Sequence, residues 1–369
     1  MIESLELRDF KGHRETTVRF APLTVLVGPN GAGKTSVLEA LHVLGQIHYK
    51  KFDEVFAAPR TPDSVCRHAT GVDSFLLRAL GASNGDHKLL ALGAEARRYE
   101  DVDSSGQAFP SVMWRGFANL GDEANERRHD LYETGSLRNF GKQDFWPELR
   151  SAALLRLDAV HIAAASPAQE QPRVALDGSG VASVLAVLKL TDEPRLARIV
   201  EALRRIVPQV VQVRSVPATV HNGHAIAGYR LVFDLLSGAD VPASSVSEGT
   251  LLTLALLTVL HGPTRPRLLL LDDVHESLHP TAQAHLMTVL KELTSGPDAI
   301  QVIATTHSSF ILDAVAPDAV QVFALRDDGT AAVRSLAEHP EATRYTGALS
   351  TGQLWTLDEE RAWVLEGAR

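Results

Sequence analysis

The 369-residue chain is 45% hydrophobic and 22% charged, near the globular average, which excludes a disordered chain and leaves room for one compound domain or two. A formal net charge of −9 excludes a surface that attracts phosphate backbones everywhere, although a local basic stripe is compatible with it. Cys66 is the single cysteine, so no intramolecular disulfide forms; the start Met1-Ile2-Glu3-Ser4 does not read as a signal peptide and no apolar run reaches spanning length, so a cytoplasmic protein with no membrane segment is expected.

Alternating apolar positions at Ile2, Leu5 and Leu7, then Thr17, Val18 and Phe20, predict two short strands joined by a turn around Lys11-Gly12-His13. Residues 23–27 are almost wholly apolar and suit a central strand buried on both faces. From residue 34 to about 49, Val37, Leu38, Leu41, Val43, Leu44 and Ile47 fall mostly at helical spacing. Between about residues 50 and 160 prolines punctuate the chain, and runs 75–80 and 89–92 read as strands of a β-rich insertion. The polar stretch 121–141 reads as a solvated helix or loop.

Helical spacing returns over 181–190 and 194–207, where Arg195, Arg198, Arg204 and Arg205 lie on or near a polar face, predicting a small helical subdomain. His221-Asn222-Gly223-His224 reads as a hairpin turn, since Asn-Gly supplies positive φ angles; its two histidines lack the cysteine or carboxylate partners of a metal site. The last third alternates helix 249–261, strand 267–271, helix 281–294 and strands 300–305 and 320–325, the pattern of a mostly parallel sheet covered by helices. The expected divisions are 1–165, 166–230 and 231–369.

Gly28-Pro29-Asn30-Gly31-Ala32-Gly33-Lys34-Thr35 matches the P-loop pattern in full, between a buried strand and the first turn of a helix. Glycines let the backbone curl so that successive N–H groups face a β-phosphate, and the helix N-terminus adds positive potential. Lys34 is expected to neutralise β/γ oxygens and Thr35 to ligate Mg²⁺. The carboxylate that completes such a site belongs at the end of a buried strand. Four successive leucines, residues 268–271, cannot form a one-sided strand, and Asp272 leaves their carboxyl end, where open α/β sheets bind ligands. Asp272 is therefore the expected Mg²⁺ residue.

With those residues in place the sequence resembles ABC-type ATPase heads of the RecF, SMC and OLD group, in the form of a small AAA-family ATPase of the AAA_21 type without coiled-coil arms or a nuclease domain. The opening Leu5-Glu6-Leu7-Arg8-Asp9-Phe10-Lys11 resembles that group's first strand and turn. Ser247-Glu248-Gly249-Thr250 resembles its ABC signature, although an ordinary helix cap alone would explain that string. Asp272-Asp273 with Ser277-Leu278-His279-Pro280 resembles the Walker B and D-loop pair, and Thr305-Thr306-His307-Ser308 the switch-histidine loop. The implied fold class is α/β: a P-loop NTPase, ABC-type head with a mostly parallel sheet, a β-rich N-terminal insertion and a small helical lid.

The resemblance implies two heads that sandwich two ATP molecules, with Ser247 and Gly249 of one binding the γ-phosphate held by the other. It places Lys11 and Ser36 beside Asn30, Gly31, Ala32, Gly33, Lys34 and Thr35 among the nucleotide-contacting positions, Thr35 and Asp272 on Mg²⁺, and His307 as γ-phosphate sensor. Where the group commonly has Glu as the base, this chain has Asp273, one methylene shorter, which implies slow hydrolysis; Glu276 ranks second for that role. Gln46, Gln169 and Gln171 leave the glutamine of the Q-loop unassigned.

ATP and Mg²⁺ are thus the expected cofactors. The expected partners are a second copy of the chain, DNA in a repair, maintenance or anti-phage defence process, and a separate effector or nuclease protein. A P-loop phosphotransferase or kinase, a transporter's nucleotide-binding subunit and a nucleotide-dependent scaffold with negligible hydrolysis remain alternatives at this point.

Overall fold

The computed structural model describes residues 1–69, 72–83, 86–102, 108–121, 127–131, 146–296, 298–342, 344 and 348–366. In chain order the first elements are β1 (Ile2–Phe10), β2 (His13–Arg19), β3 (Leu23–Val27), α1 (Lys34–Gln46), α2 (Phe52–Val55), α3 (Pro62–Val65), β4 (Ser74–Ser83), β5 (Asp86–Val102), β6 (Ala108–Gly121) and β7 (Arg127–Leu131). Next come α4 (Pro147–Arg150), β8 (Ala153–Leu155), α5 (Ala159–Ala163), β9 (Ser166–Pro167), α6 (Val181–Thr191), α7 (Glu193–Ile206), β10 (Val210–Asn222), β11 (His224–Leu235) and β12 (Gly238–Pro242). The chain finishes with α8 (Glu248–His261), β13 (Leu268–Leu271), α9 (Pro280–Leu293), β14 (Gln301–Thr305), α10 (Ser309–Leu312), β15 (Val320–Leu325), β16 (Ala331–Ser335), α11 (Thr351–Trp355) and α12 (Glu360–Val364). Two compact units divide it: Met1–Ala152 with Val315–Arg369, and Ala153–Ala314.

In the first unit β1 lies between β2 and β4, and β5, β6 and β7 extend the antiparallel sheet in that order. Its register sets Leu5 opposite Val18 and Leu7 opposite Leu77, so the apolar face of β1 stays buried. Phe10, Phe75, Phe56 and Phe52 form a chain of tilted ring contacts beneath it, with centroids 5.8, 5.4 and 4.8 Å apart in turn. All five residues of β3 are buried, and β3 pairs in parallel with β15, which pairs antiparallel with β16. The end of this buried strand launches the loop into α1.

The stretch 121–141 departs from the expected helix or loop. Residues 127–131 form strand β7, paired with residues 116–120 of β6, while 122–126 and 132–141 lie outside the described residues. A polar strand at the end of a sheet carries no apolar alternation for sequence to show, because the neighbouring strand supplies its order through backbone hydrogen bonds.

In the second unit β13 lies between β8 and β14, all parallel, with Leu271 opposite Leu155 and Ala304. All four leucines of β13 are buried, as strands covered on both faces require. Helix α7 buries Leu196, Ile199, Val200, Leu203 and Ile206 on one stripe. Beyond it β10 and β11 form a hairpin that turns at Gly223, where φ is 72°. Among the described residues no helix is long and apolar enough to cross a membrane.

Candidate functional site

The loop after β3 is shaped by positive φ angles at Gly28 (134°), Gly31 (77°) and Gly33 (94°). Gly33 is the N-cap of α1, and the first turn of that helix carries no acidic side chain, so its positive end is left for an anion. Lys34 is buried, and its Nζ donates to Gly28 O at 2.8 Å and Pro29 O at 2.9 Å. The ammonium is thereby held over the loop that carries it. Asn30 and Gly31 are exposed, Ala32 is buried, and Thr35 and Ser36 are half-buried on the first turn of α1.

His13 supports this loop from below, a role the sequence reading did not assign. Its ring is buried, with Nε2 3.1 Å from Gly33 O. Burial pushes its pKa from 6.5 down to about 4, so the ring is neutral at pH 7 and the contact requires the proton on Nε2. A Cβ on Gly33 would stand 2.4 Å from that nitrogen. Gly33 is thus fixed twice, by its backbone angle and by the histidine beneath it. The only local signal for His13 was its place in the turn after Lys11-Gly12.

Lys11, expected at the nucleotide, is engaged inside its own unit: its Nζ pairs with Glu39 on α1, and its N–H donates to Val65 O at 2.7 Å. That pair joins the β1–β2 turn to the helix that follows the P-loop.

In the second unit Asp272 lies one residue beyond β13, and its N–H extends the ladder to Leu155 O at 3.0 Å. Its side chain is 8% exposed and receives a hydrogen bond on each oxygen: Thr305 Oγ1 donates to Oδ1 and Arg156 Nε to Oδ2, both at 2.8 Å. The donors come from the ends of the two flanking strands. Thr305 also accepts from Asp273 N–H at 2.8 Å, so one buried hydroxyl orders both aspartates. Asp273 is exposed and has φ of 51°, a left-handed conformation that Asp tolerates better than most side chains. Glu276 donates its N–H to Asp273 O at 3.0 Å, and both residues line a cavity of about 40 Å³ walled by Leu155, Leu256 and Leu271.

Ser247 caps α8 and is exposed; its Oγ lies 2.7 Å from Thr250 Oγ1. Gly249 is buried where a Cβ would meet Ser277 O at 2.5 Å, so only glycine lets the 273–278 turn approach the start of α8 this closely. Ser277, with φ of 58°, donates to Glu248 Oε2 at 2.8 Å. His307 is exposed after β14, its ring 5.9 Å from that of His275. Buried Gln283, also unassigned from sequence, donates to Leu278 O at 2.9 Å and accepts from Ser308 Oγ at 2.6 Å. It ties the 273–278 turn to the loop that carries His307.

The structure therefore gathers Lys11 with the P-loop helix in one unit, and Asp272, Asp273, Glu276, Ser247, Gly249 and His307 in the other. Among the described residues no cluster of three or more His, Cys, Asp or Glu is placed to hold a metal ion. A hard oxygen donor such as the Asp272 carboxylate is of the kind that suits Mg²⁺, which keeps several waters and is shared with phosphates rather than caged by protein.

Residues 1–80 match the family described as "AAA ATPase domain", and residues 195–313 the family described as "AAA domain, putative AbiEii toxin, Type IV TA system". The chain is 52% identical over 44 residues to the DNA replication and repair protein RecF of Chloroflexus aggregans, which is 12% of this chain and 11% of that protein. It is 50% identical over 42 residues to the DNA double-strand break repair Rad50 ATPase of Methanopyrus kandleri, 11% of this chain and 5% of that protein. These matches span only about a tenth or less of the relatives' length.

Solved structures are similar over far more of the chain. An SMC head bound to the C-winged helix domain of ScpA superposes with a TM-score of 0.60 at 18% identity, covering 93% of this chain and 99% of that one. An SMC head with an extended coiled coil, bound to the C-terminal domain of ScpA derived from Pyrococcus furiosus, gives 0.58 at 15% identity, covering 93% and 98%. In fold the chain is an α/β P-loop NTPase head of the SMC type, with parallel pairing of β3 with β15 and of β13 with β8 and β14, and an antiparallel N-terminal sheet. Two separate stretches of the chain thus match AAA ATPase family models, and its fold is that of the SMC heads.

Proposed function

We propose that the chain is a slow, ATP-gated switch: two copies close over nucleotide, and hydrolysis lets them part. The observation that carries this reading is the P-loop, with buried Lys34 held over Gly28 O and Pro29 O at the unscreened start of α1. Asn30, Gly31, Ala32, Gly33, Lys34, Thr35 and Ser36 bind the phosphates, with Lys11 acting through Glu39 to hold the helix they start. Thr35 and Asp272 hold Mg²⁺, which supplies charge neutralisation at the phosphate oxygens. Asp273 orients the attacking water, with Glu276 beside it, and His307 reads the γ-phosphate. Ser247 and Gly249 present the start of α8 to the nucleotide of the second copy, a role supported by the exposure of Ser247 at the cap of a 14-residue helix.

The biological setting is a DNA-linked one, in repair, maintenance or anti-phage defence, with DNA and a separate effector or nuclease protein as partners. Support for this comes from the names of the RecF and Rad50 relatives alone. Sedimentation with a non-hydrolysable ATP analogue tests the switch: a dimer should form with the analogue and Mg²⁺, and not with ADP. Ser247→Arg should abolish that dimer while leaving nucleotide binding by the monomer intact. Turnover by a strict monomer would instead favour a phosphotransferase.

The left-handed backbone at Asp273 favours a second reading, a nucleotide-dependent scaffold with negligible hydrolysis. Measurable phosphate release that Lys34→Ala abolishes would exclude it.

A further inference from the structure

Asp272 is held by two donors of different kind. The Thr305 hydroxyl is neutral and buried, on the strand to one side. Arg156 is a full positive charge one residue beyond β8, the strand to the other side, its Nε 2.8 Å from Oδ2 and its side chain 44% exposed. Residues 155 and 271 are register partners on adjacent parallel strands, so Arg156 and Asp272 leave the sheet side by side at the same edge. The pairing is built into the topology.

We infer that Arg156 guards the metal-binding carboxylate: it neutralises Asp272 when no divalent cation is bound and must be displaced from Oδ2 for the water shell of Mg²⁺ to engage that oxygen. This rests on the reading of Asp272 as the Mg²⁺ residue. The two cationic groups compete for one carboxylate, and like charges a few ångströms apart repel even with solvent screening. Thr305 keeps Oδ1 in either state, so the carboxylate does not turn when the arginine leaves. The Arg156 side chain is 44% exposed, so solvent borders the path by which it would withdraw. Arg156 is thus a positioning residue that sets how much divalent cation the head needs before it loads.

Mn²⁺ can be titrated into full-length protein held in excess over a non-hydrolysable ATP analogue, with free Mn²⁺ followed by electron paramagnetic resonance. Arg156→Gln and Arg156→Met should each lower the half-saturating Mn²⁺ concentration about tenfold, whereas Arg156→Lys, which keeps the charge, should stay within about twofold of wild type. Thermal unfolding supplies an independent readout: in EDTA both uncharged variants should melt below wild type, and Mn²⁺ with the analogue should raise their midpoints by more than it raises the wild-type midpoint. Unchanged or weaker Mn²⁺ binding in either uncharged variant that folds overturns the inference. Asp272→Asn separates the two levels. If it weakens Mn²⁺ binding at least tenfold while the Arg156 variants do nothing, only the guarding role fails; if it has no effect, the assignment of Asp272 itself fails.

Discussion

Around residues 28–35 the functional geometry is made by backbone: three glycines at positive φ, a helix start, and one lysine folded over its own loop. Around residues 272–273 it is made by side chains from strands far apart in sequence, with Arg156 and Thr305 each donating to Asp272. The first arrangement is nearly all local, with distant support from His13 beneath Gly33 and from Lys11 on Glu39 of α1. The second has no local content beyond a buried strand and two aspartates. A local cradle depends on the identity of its glycines, whereas a carboxylate fixed by neighbours depends on residues that a motif does not name.

The sharpest way to break this contrast is Lys34→Ala. Phosphate release should fall by about a thousandfold, roughly 4 kcal/mol of transition-state stabilisation, while thermal stability in the absence of nucleotide changes little. A small loss of turnover would mean that the cradle is not where the chemistry happens.

His13 tests the distant support beneath the local cradle. Its folded pKa is lowered from 6.5 to about 4, so the unfolded chain takes the proton first. The stability it contributes is fully present above pH 6.5 and is lost as the pH falls from 6.5 towards 4, by about 3 kcal/mol at most. His13→Asn keeps a donor for Gly33 O without titrating, and denaturant unfolding across pH 7 to 4 should show a flatter acid limb. Some slope should persist, because burial also lowers His42 to about 4.

Thr305→Val sharpens the other side of the comparison. It removes the hydroxyl shared by Asp272 and Asp273 while conserving shape, and should cost 1–3 kcal/mol of stability, the range for a buried group left unpaired. Turnover should drop about tenfold or more as both aspartates lose alignment, read by steady-state phosphate release. The smallest effect is expected from Asp273→Glu. It restores the missing methylene and should raise turnover by about tenfold. The left-handed backbone should offset this with a stability loss of about 1 kcal/mol, visible as a lower melting temperature. Faster turnover without that loss would show that the turn rearranges.

Much of this was legible in the chain before folding. The apolar run of β3, the glycine pattern and the amphipathic α1 announced the P-loop in the correct context. The four leucines of β13 announced a doubly buried strand with Asp272 at its end. Asn222-Gly223 marked the β10–β11 turn through the positive φ it needs. What failed was the stretch that became β7, whose polar residues have no apolar period and whose order comes from pairing with β6.

The sequence alone determined where phosphate chemistry could occur, because glycine conformations, helix starts and buried strands follow from residues within a few positions of one another. Only the tertiary structure decided what holds those groups in place. His13 under Gly33, Arg156 and Thr305 on Asp272, Gln283 between the two loops and Ser277 against Gly249 meet through strand order and turn packing. Hydrogen bonds between residues 20 to 116 positions apart leave no period or spacing for a sequence to display.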